Sequence, residues 1–162
     1  MFNAEQTTLA QAVLDTCRRA GLKLATAESC TGGLIAGCLT AVAGSSKVFE
    51  RGFVTYTNQA KSDLLGVAPE LFESKGAVSE DVARAMAEGA LRNSAAQISV
   101  AVTGITGPGG GTVDKPVGCV HIACARNGAD TLHESHVFDG DRAAVRSQTV
   151  LAALELLGKL AE

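Results

Sequence analysis

The apolar positions follow two spacings: some recur every three to four residues, others fall in short consecutive runs. The first spacing predicts amphipathic helices and the second predicts buried strands. Leu9, Val13, Leu14 and Cys17 mark one face of a first helix over about residues 4–20. Asn3 and Gln6 ahead of it form a capping-box pattern, and Gly21 is a natural stop. Residues 22–27 read as a strand, and residues 32–44 as a buried helix followed by a turn or helical piece at Ser45-Ser46. Residues 49–57 read as a second strand, since positions 53–57 are all β-branched or aromatic. Asn58 then caps a short helix carrying Lys61, Leu64 and Leu65, which Gly66 ends. Another short helix opens at Pro69 and runs to about residue 74.

Ser79, Glu80 and Asp81 announce a longer helix, with a polar cap and acid in its first turn, reaching about Arg92. Its apolar face, Val82, Ala83, Ala87 and Leu91, is mostly small and suits close packing on a sheet. Residues 98–103 form a buried strand. Residues 117–125 and 131–138 form a hairpin around Asn127-Gly128. The last helix starts at Asp139-Gly140-Asp141 and runs to about residue 158, with Val145, Val150, Leu154 and Leu157 inward. The elements do not alternate strictly. They predict an α/β single domain over residues 1–162, a three-layer-like sandwich with a mixed β-sheet flanked by helices.

Composition narrows the function classes. A chain of 162 residues, 46% apolar and 19% charged, is long enough and apolar enough for one sizeable core. A net charge of −3 without a basic run argues against a nucleic-acid partner. No apolar run approaches the roughly 20 residues of a membrane helix, and residues 1–11 contain no apolar segment of a secretory signal. The five cysteines are odd in number and include no C-x-x-C pair, which suits a reduced, cytoplasmic compartment.

The chemistry concentrates in two places. Residues 26–33, Thr-Ala-Glu-Ser-Cys-Thr-Gly-Gly, lie between the first strand and the second helix. There Ser29 can attack an electrophile beside free backbone N–H donors of Cys30, Thr31, Gly32 and Gly33, or Ser29 or Thr31 can simply cap the helix. A Cys30 thiolate at that position would have a lowered pKa; the plainer reading is a small packing residue. The second place is the glycine-dense loop after Thr103, with Gly104, Thr106, Gly107 and Gly109. It matches neither the P-loop nor the dinucleotide fingerprint. It offers backbone N–H groups and hydroxyls to a phosphate, or needs glycine only for its path. Lys61, just after a buried strand, becomes a base if desolvated and is otherwise one more surface lysine. Tyr56, the only tyrosine, is placed to relay or orient a proton. Arg142 and Arg146 in the last helix are candidates for charge near a phosphate. His121, His133 and His136 fit no metal spacing, and no metal or cofactor is expected.

Four ordered segments carry a resemblance: Glu28 to Gly33; Tyr56-Thr57-Asn58 with Lys61 and Leu65-Gly66-Val67; Thr103 to Gly110; and Lys115-Pro116-Val117-Gly118. Together they resemble the CinA C-terminal domain family, whose characterised members are nicotinamide-nucleotide amidohydrolases (NMN deamidases). The resemblance covers nearly the whole chain. Ile105-Thr106 stands where many relatives carry smaller residues. The resemblance implies a serine amidase with catalytic Ser29, Tyr56 and Lys61. It implies nicotinamide mononucleotide as small-molecule substrate and the stand-alone form of the domain, and a homo-oligomer is expected. Cys30 to Gly33 supply the expected oxyanion contacts, and residues 103–110 with Arg142 the expected phosphate contacts. A pyridine-nucleotide-binding or sensor domain without turnover is the alternative.

Overall fold

The computed structural model describes residues 2–162; Met1, the first residue of the expected domain, lies outside them. The described residues form α1 (Ala4–Arg19), β1 (Leu24–Glu28), α2 (Leu34–Thr40), β2 (Phe49–Val54), α3 (Asn58–Leu65), α4 (Pro69–Lys75), α5 (Glu80–Arg92), β3 (Ile98–Gly104), β4 (Cys119–Arg126), β5 (Leu132–Val137) and α6 (Arg142–Ala161), with a 3-10 turn at Ser45–Lys47. None of these helices is long and apolar enough to cross a membrane.

The strands make one mixed sheet in the order β2-β1-β3-β4-β5. β1 runs parallel to both neighbours, while β3–β4 and β4–β5 are antiparallel. The expected α/β sandwich is therefore present, and its two faces differ in residue size for a sequence reason. Side chains alternate across a strand. Leu24, Ile98, Val100, Val102, Val120 and Ile122 fall on the face covered by α1, α2 and α6. Ala25, Ala27, Ala101, Ala123 and Ala125 fall on the face covered by α5.

Alanines on the sheet meet Ala83, Ala87 and Ala90 on α5, so helix and sheet approach closely. The approach is close enough for the buried Ser99 hydroxyl to donate to the Ala87 carbonyl at 2.7 Å. Gly89 extends the same packing to α3: a Cβ there would lie 2.1 Å from the Leu65 carbonyl oxygen.

Several boundaries moved, each for a visible reason. β2 stops at Val54, three residues early, because the Thr57 hydroxyl accepts from Ala60 N–H and caps α3, the role expected of Asn58. α2 begins at Leu34 because Gly32 and Gly33 have φ of +60° and +101°, outside helical geometry. The capping box of α1 forms as expected: Gln6 N–H donates to the Asn3 side chain at 2.8 Å, and Asn3 N–H donates to Gln6 Oε1 at 3.1 Å.

The topology fixes where a site can lie. β1 connects to β2 through α2 on one face; β2 connects to β3 through α3, α4 and α5. The chain therefore steps from β1 out to the edge strand β2 and crosses back over β1 to β3, so the turns after β1 and β3 lie side by side at the carboxyl ends of the parallel strands, where ligands bind in open α/β sheets.

Gly89→Ala tests the alanine-side packing. The substitution gains about 1 kcal/mol of helix propensity, but its Cβ meets rigid backbone. The expected net result is a loss of about 1–3 kcal/mol, read as a lower urea midpoint with an unchanged m-value. A higher midpoint would show that α3 and α5 are not in tight contact.

Candidate active site

Ser29 follows the last residue of β1. Its N–H donates to the Val102 carbonyl at 3.1 Å, which ties the turn to β3. The chain then divides its functional groups between the two faces of the sheet. Glu28 points to the α2 side and Ser29 to the α3 side, where Lys61 Nζ lies 3.0 Å from Ser29 Oγ. Lys61 reaches there because only residues 55–57 separate β2 from α3. The same amine lies 3.0 Å from the Thr55 carbonyl oxygen and 3.3 Å from that of Tyr56. The residue is 1% exposed. Burial holds its pKa below the ordinary lysine value. A neutral amine has two N–H donors and one lone pair. Two carbonyls and one serine hydroxyl match that inventory.

A cavity of about 300 Å³ opens beside this pair at the carboxyl ends of the strands. Among the expected contacts, Cys30, Thr103, Gly104, Thr106, Gly107, Gly109 and Arg142 line it, together with Tyr56, Ser29 and Lys61. Thr31, Gly32 and Gly33 do not. Thr31 and Gly33 are held away from it by Glu28, a fully buried residue to which the sequence reading gave no role. Its carboxylate accepts from the Thr31 hydroxyl at 2.6 Å, from Gly33 N–H at 3.1 Å and from Ile35 N–H at 3.0 Å, and on its other oxygen from Ala36 N–H at 2.8 Å. The start of α2 is thus capped from the preceding strand, not by Ser29 or Thr31. Gly32 N–H donates to the Ser29 carbonyl. Of the four amides expected to face an oxyanion, Gly32 and Gly33 are therefore engaged. Those of Cys30 and Thr31 have no oxygen acceptor among the described residues, and of these two residues Cys30 lines the cavity.

Cys30 itself is no thiolate. Burial, with the Glu28 carboxylate adding to it, pushes its thiol up to about 12. All five cysteines are buried and unpaired in disulfides. Tyr56 is 57% exposed, and its hydroxyl bonds neither Ser29 nor Lys61, as a relay would require. It accepts instead from Arg142 Nη2 at 2.9 Å. Arg142 Nη1 donates to the Thr106 hydroxyl at 2.7 Å and to the Gly107 carbonyl at 3.0 Å. That guanidinium joins the glycine loop to Tyr56 across the cavity. No carboxylate lines the cavity.

Packing divides the glycines of the loop after Thr103. A Cβ at Gly104 would come within 2.7 Å of Val120, and one at Gly107 within 2.7 Å of Val117. Those two glycines are required by packing. Gly109 has nothing within 4 Å and faces the cavity. The Thr103 hydroxyl is committed to the Ala77 carbonyl at 2.8 Å.

Arg146, the second arginine considered for phosphate, does not line the cavity. It donates to the Cys30 carbonyl at 3.2 Å and the Thr31 carbonyl at 2.9 Å. The histidines lie on the β4–β5 hairpin; His121 Nδ1 and His133 Nε2 are 2.9 Å apart, and desolvation lowers both pKa values. No three His, Cys, Asp or Glu side chains among the described residues are placed to hold a metal ion.

The sequence reading missed Glu28 as the buried cap, Asn58 at the cavity wall and the part played by Arg146. The available signal for Glu28 was an acid ending an apolar strand ahead of a helix with glycine at its cap.

The chain is similar to several known proteins over most of its length. Nicotinamide-nucleotide amidohydrolase PncC of Pseudomonas putida is 50% identical over 154 residues, covering 95% of this chain and 96% of that protein. A putative competence-damage inducible protein of Symbiobacterium thermophilum is 50% identical over 165 residues. The chain spans only 36–39% of the length of that protein and five similar curated relatives. The crystal structure of competence/damage inducible protein CihA from Agrobacterium tumefaciens superposes with a TM-score of 0.97 at 50% identity, covering 100% of this chain and 99% of that one. Residues 6–161 match the CinA C-terminal domain. The fold, the motif-bearing turn and these matches agree: the chain belongs to the CinA C-terminal domain family.

Proposed function

We propose that this protein is a nicotinamide-nucleotide amidohydrolase that converts nicotinamide mononucleotide and water into nicotinic acid mononucleotide and ammonia. The observation that carries the reading is the buried Lys61 amine 3.0 Å from Ser29 Oγ. A lysine in water holds its proton to about pH 10.4 and cannot act as a base. Here desolvation lowers its pKa. Fold alone does not assign chemistry. The full-length likeness to PncC supplies the substrate class.

Neutral Lys61 takes the Ser29 proton as Oγ attacks the carboxamide carbon. The negative charge forming on the carboxamide oxygen meets Cys30 N–H. The protonated amine then gives its proton to the carboxamide nitrogen, the C–N bond breaks, and ammonia leaves an ester on Ser29. Lys61, neutral again, takes a proton from water while the hydroxide attacks the ester. Ser29 recovers its proton, and the free carboxylate is released. Fixed donors aimed at developing charge contribute about 10²–10³ in rate each.

Tyr56 enters this scheme through its carbonyl, which holds Lys61, and through its hydroxyl, which holds Arg142. Arg142, with Thr106 and the Gly109 region, receives the phosphate of the substrate. A cavity without a lining carboxylate suits that anion. The product would re-enter pyridine-nucleotide recycling.

Ammonia release from nicotinamide mononucleotide tests the reading. Wild type should release it, and Ser29→Ala and Lys61→Ala should lose about 10³-fold or more. In wild type kcat/KM should rise about tenfold per pH unit and level off above the pKa of Lys61, because only the deprotonated amine is a base. A rate flat from about pH 6 to 9 would exclude Lys61 as that base. Tight nucleotide binding without ammonia would move the protein to the sensor class.

Arg142→Ala should raise KM about tenfold or more through the lost charge-assisted bonds, with a smaller change in kcat. An unchanged KM would place the phosphate elsewhere. Iodoacetamide at pH 8 should leave activity intact, because the Cys30 thiol is buried and protonated. Inactivation with Cys30 labelled would indicate a cysteine nucleophile.

A further inference from the structure

We propose that Arg146 is a positioning residue that orients and polarises the backbone amides beside Ser29. The proposal rests on the serine-amidase reading above.

Arg146 lies in the second turn of α6 and, like Thr31, Gly32 and Gly33, stands outside the cavity lining. It has no carboxylate within salt-bridge distance among the described residues. Its guanidinium instead forks onto two successive carbonyls, Cys30 at 3.2 Å and Thr31 at 2.9 Å. A guanidinium fork normally pairs with a carboxylate or phosphate. Spent on two backbone carbonyls, it acts on the peptide planes that contain them.

Peptide units are planar, so holding a C=O fixes the N–H across the same bond. The bond to the Cys30 carbonyl fixes the direction of Thr31 N–H. The bond to the Thr31 carbonyl fixes Gly32 N–H, which donates to the Ser29 carbonyl at 3.1 Å. The Ser29 carbonyl shares its plane with Cys30 N–H, the amide proposed to face the oxyanion. A short chain therefore runs from a cation through two peptide planes to that donor. Bonds in such a chain polarise one another in the same sense. A positive charge pulling on the Thr31 oxygen makes Gly32 N–H a better donor, and this in turn makes Cys30 N–H a better donor.

Glu28 holds the same loop from the other side. Its carboxylate takes the Thr31 hydroxyl and Gly33 N–H. Between them the two charges restrain residues 30–33, and neither touches the cavity. Gly32 belongs to the arrangement: its φ of +60° turns the chain between the two, and a Cβ there would lie 3.5 Å from Arg146 Nη2.

Because the oxyanion exists only in the transition state, loss of this support lowers kcat and leaves substrate binding alone. That separates Arg146 from Arg142, whose loss raises KM. Arg146→Met, compared with wild type on nicotinamide mononucleotide, should lose about 10²-fold in kcat, with KM within about twofold. The pH midpoint set by Lys61 should not move. Arg146→Lys keeps the charge but not the fork, and should fall between the two. It also serves if the Met variant does not fold, and thermal unfolding of each variant establishes that it is folded.

A second readout does not depend on the nucleotide. An alkyl fluorophosphonate labels Ser29 by forming an Oγ–P bond as the P–F bond breaks; fluoride leaves, and the serine proton passes to Lys61. Its phosphonyl oxygen occupies the place of the oxyanion. Labelling should slow about tenfold or more in Arg146→Met.

A folded Met variant with wild-type kcat and labelling rate overturns the proposal. So does a raised KM with unchanged kcat, which would make Arg146 a substrate ligand. If wild type labels but releases no ammonia, the substrate assignment fails and the labelling rates still decide for or against Arg146. A wild type that does neither overturns both.

Discussion

Lys61 is the constraint on which the rest of the site depends. Its amine is buried without a carboxylate partner, and an isolated charge in such a place is costly enough that the group gives up its proton more readily than in water. The neutral form is tolerable only if its two N–H groups are satisfied, and the carbonyls of Thr55 and Tyr56 do this. Those carbonyls are available because β2 breaks off at Val54 and the chain turns into α3. The early end of the strand, the short helix and the position of the amine are one arrangement. The tight contact of Gly89 with Leu65 holds that helix in place from behind.

Charge is distributed in two layers. The cavity wall carries one lysine, one arginine and no acid. Glu28 sits just outside it, fully buried and surrounded by four donors. Removing such a carboxylate would leave those donors unpaired at about 1–3 kcal/mol each, so Glu28 ties the turn after β1 to the helix that follows. Burial is the main reason that Cys30, beside a helix start, is not an activated thiol, and the Glu28 carboxylate at the start of α2 adds to it.

The two faces of the sheet serve different ends. The face with leucine, isoleucine and valine packs α1, α2 and α6 and contains most of the apolar volume. The alanine face brings α5 close. It places the Ala77 carbonyl, just ahead of that helix, where the Thr103 hydroxyl reaches it. Close packing there brings the α4–α5 connection against the glycine loop, and Ala77 and Val78 join the cavity wall.

Much of this was legible in the chain. Period and turn chemistry place the helices and strands to within a few residues, and the small residues of α5 already imply close packing on a sheet. The motif segments point to Ser29, Lys61 and the glycine loop. The sequence could not say which way Glu28 and Ser29 point, since a one-residue change of register exchanges the faces of a strand. Nor could it separate Arg142 from Arg146. They lie four residues apart on α6, yet one reaches the cavity and the other two backbone carbonyls behind it. Tyr56 had the right neighbours in sequence for a proton relay, and its hydroxyl is drawn instead to an arginine 86 residues away. Local periodicity and turn residues, which act over a few positions, were determined by the sequence alone. Which donors remain free, which lysine is desolvated and where each guanidinium ends were decided only when distant segments met.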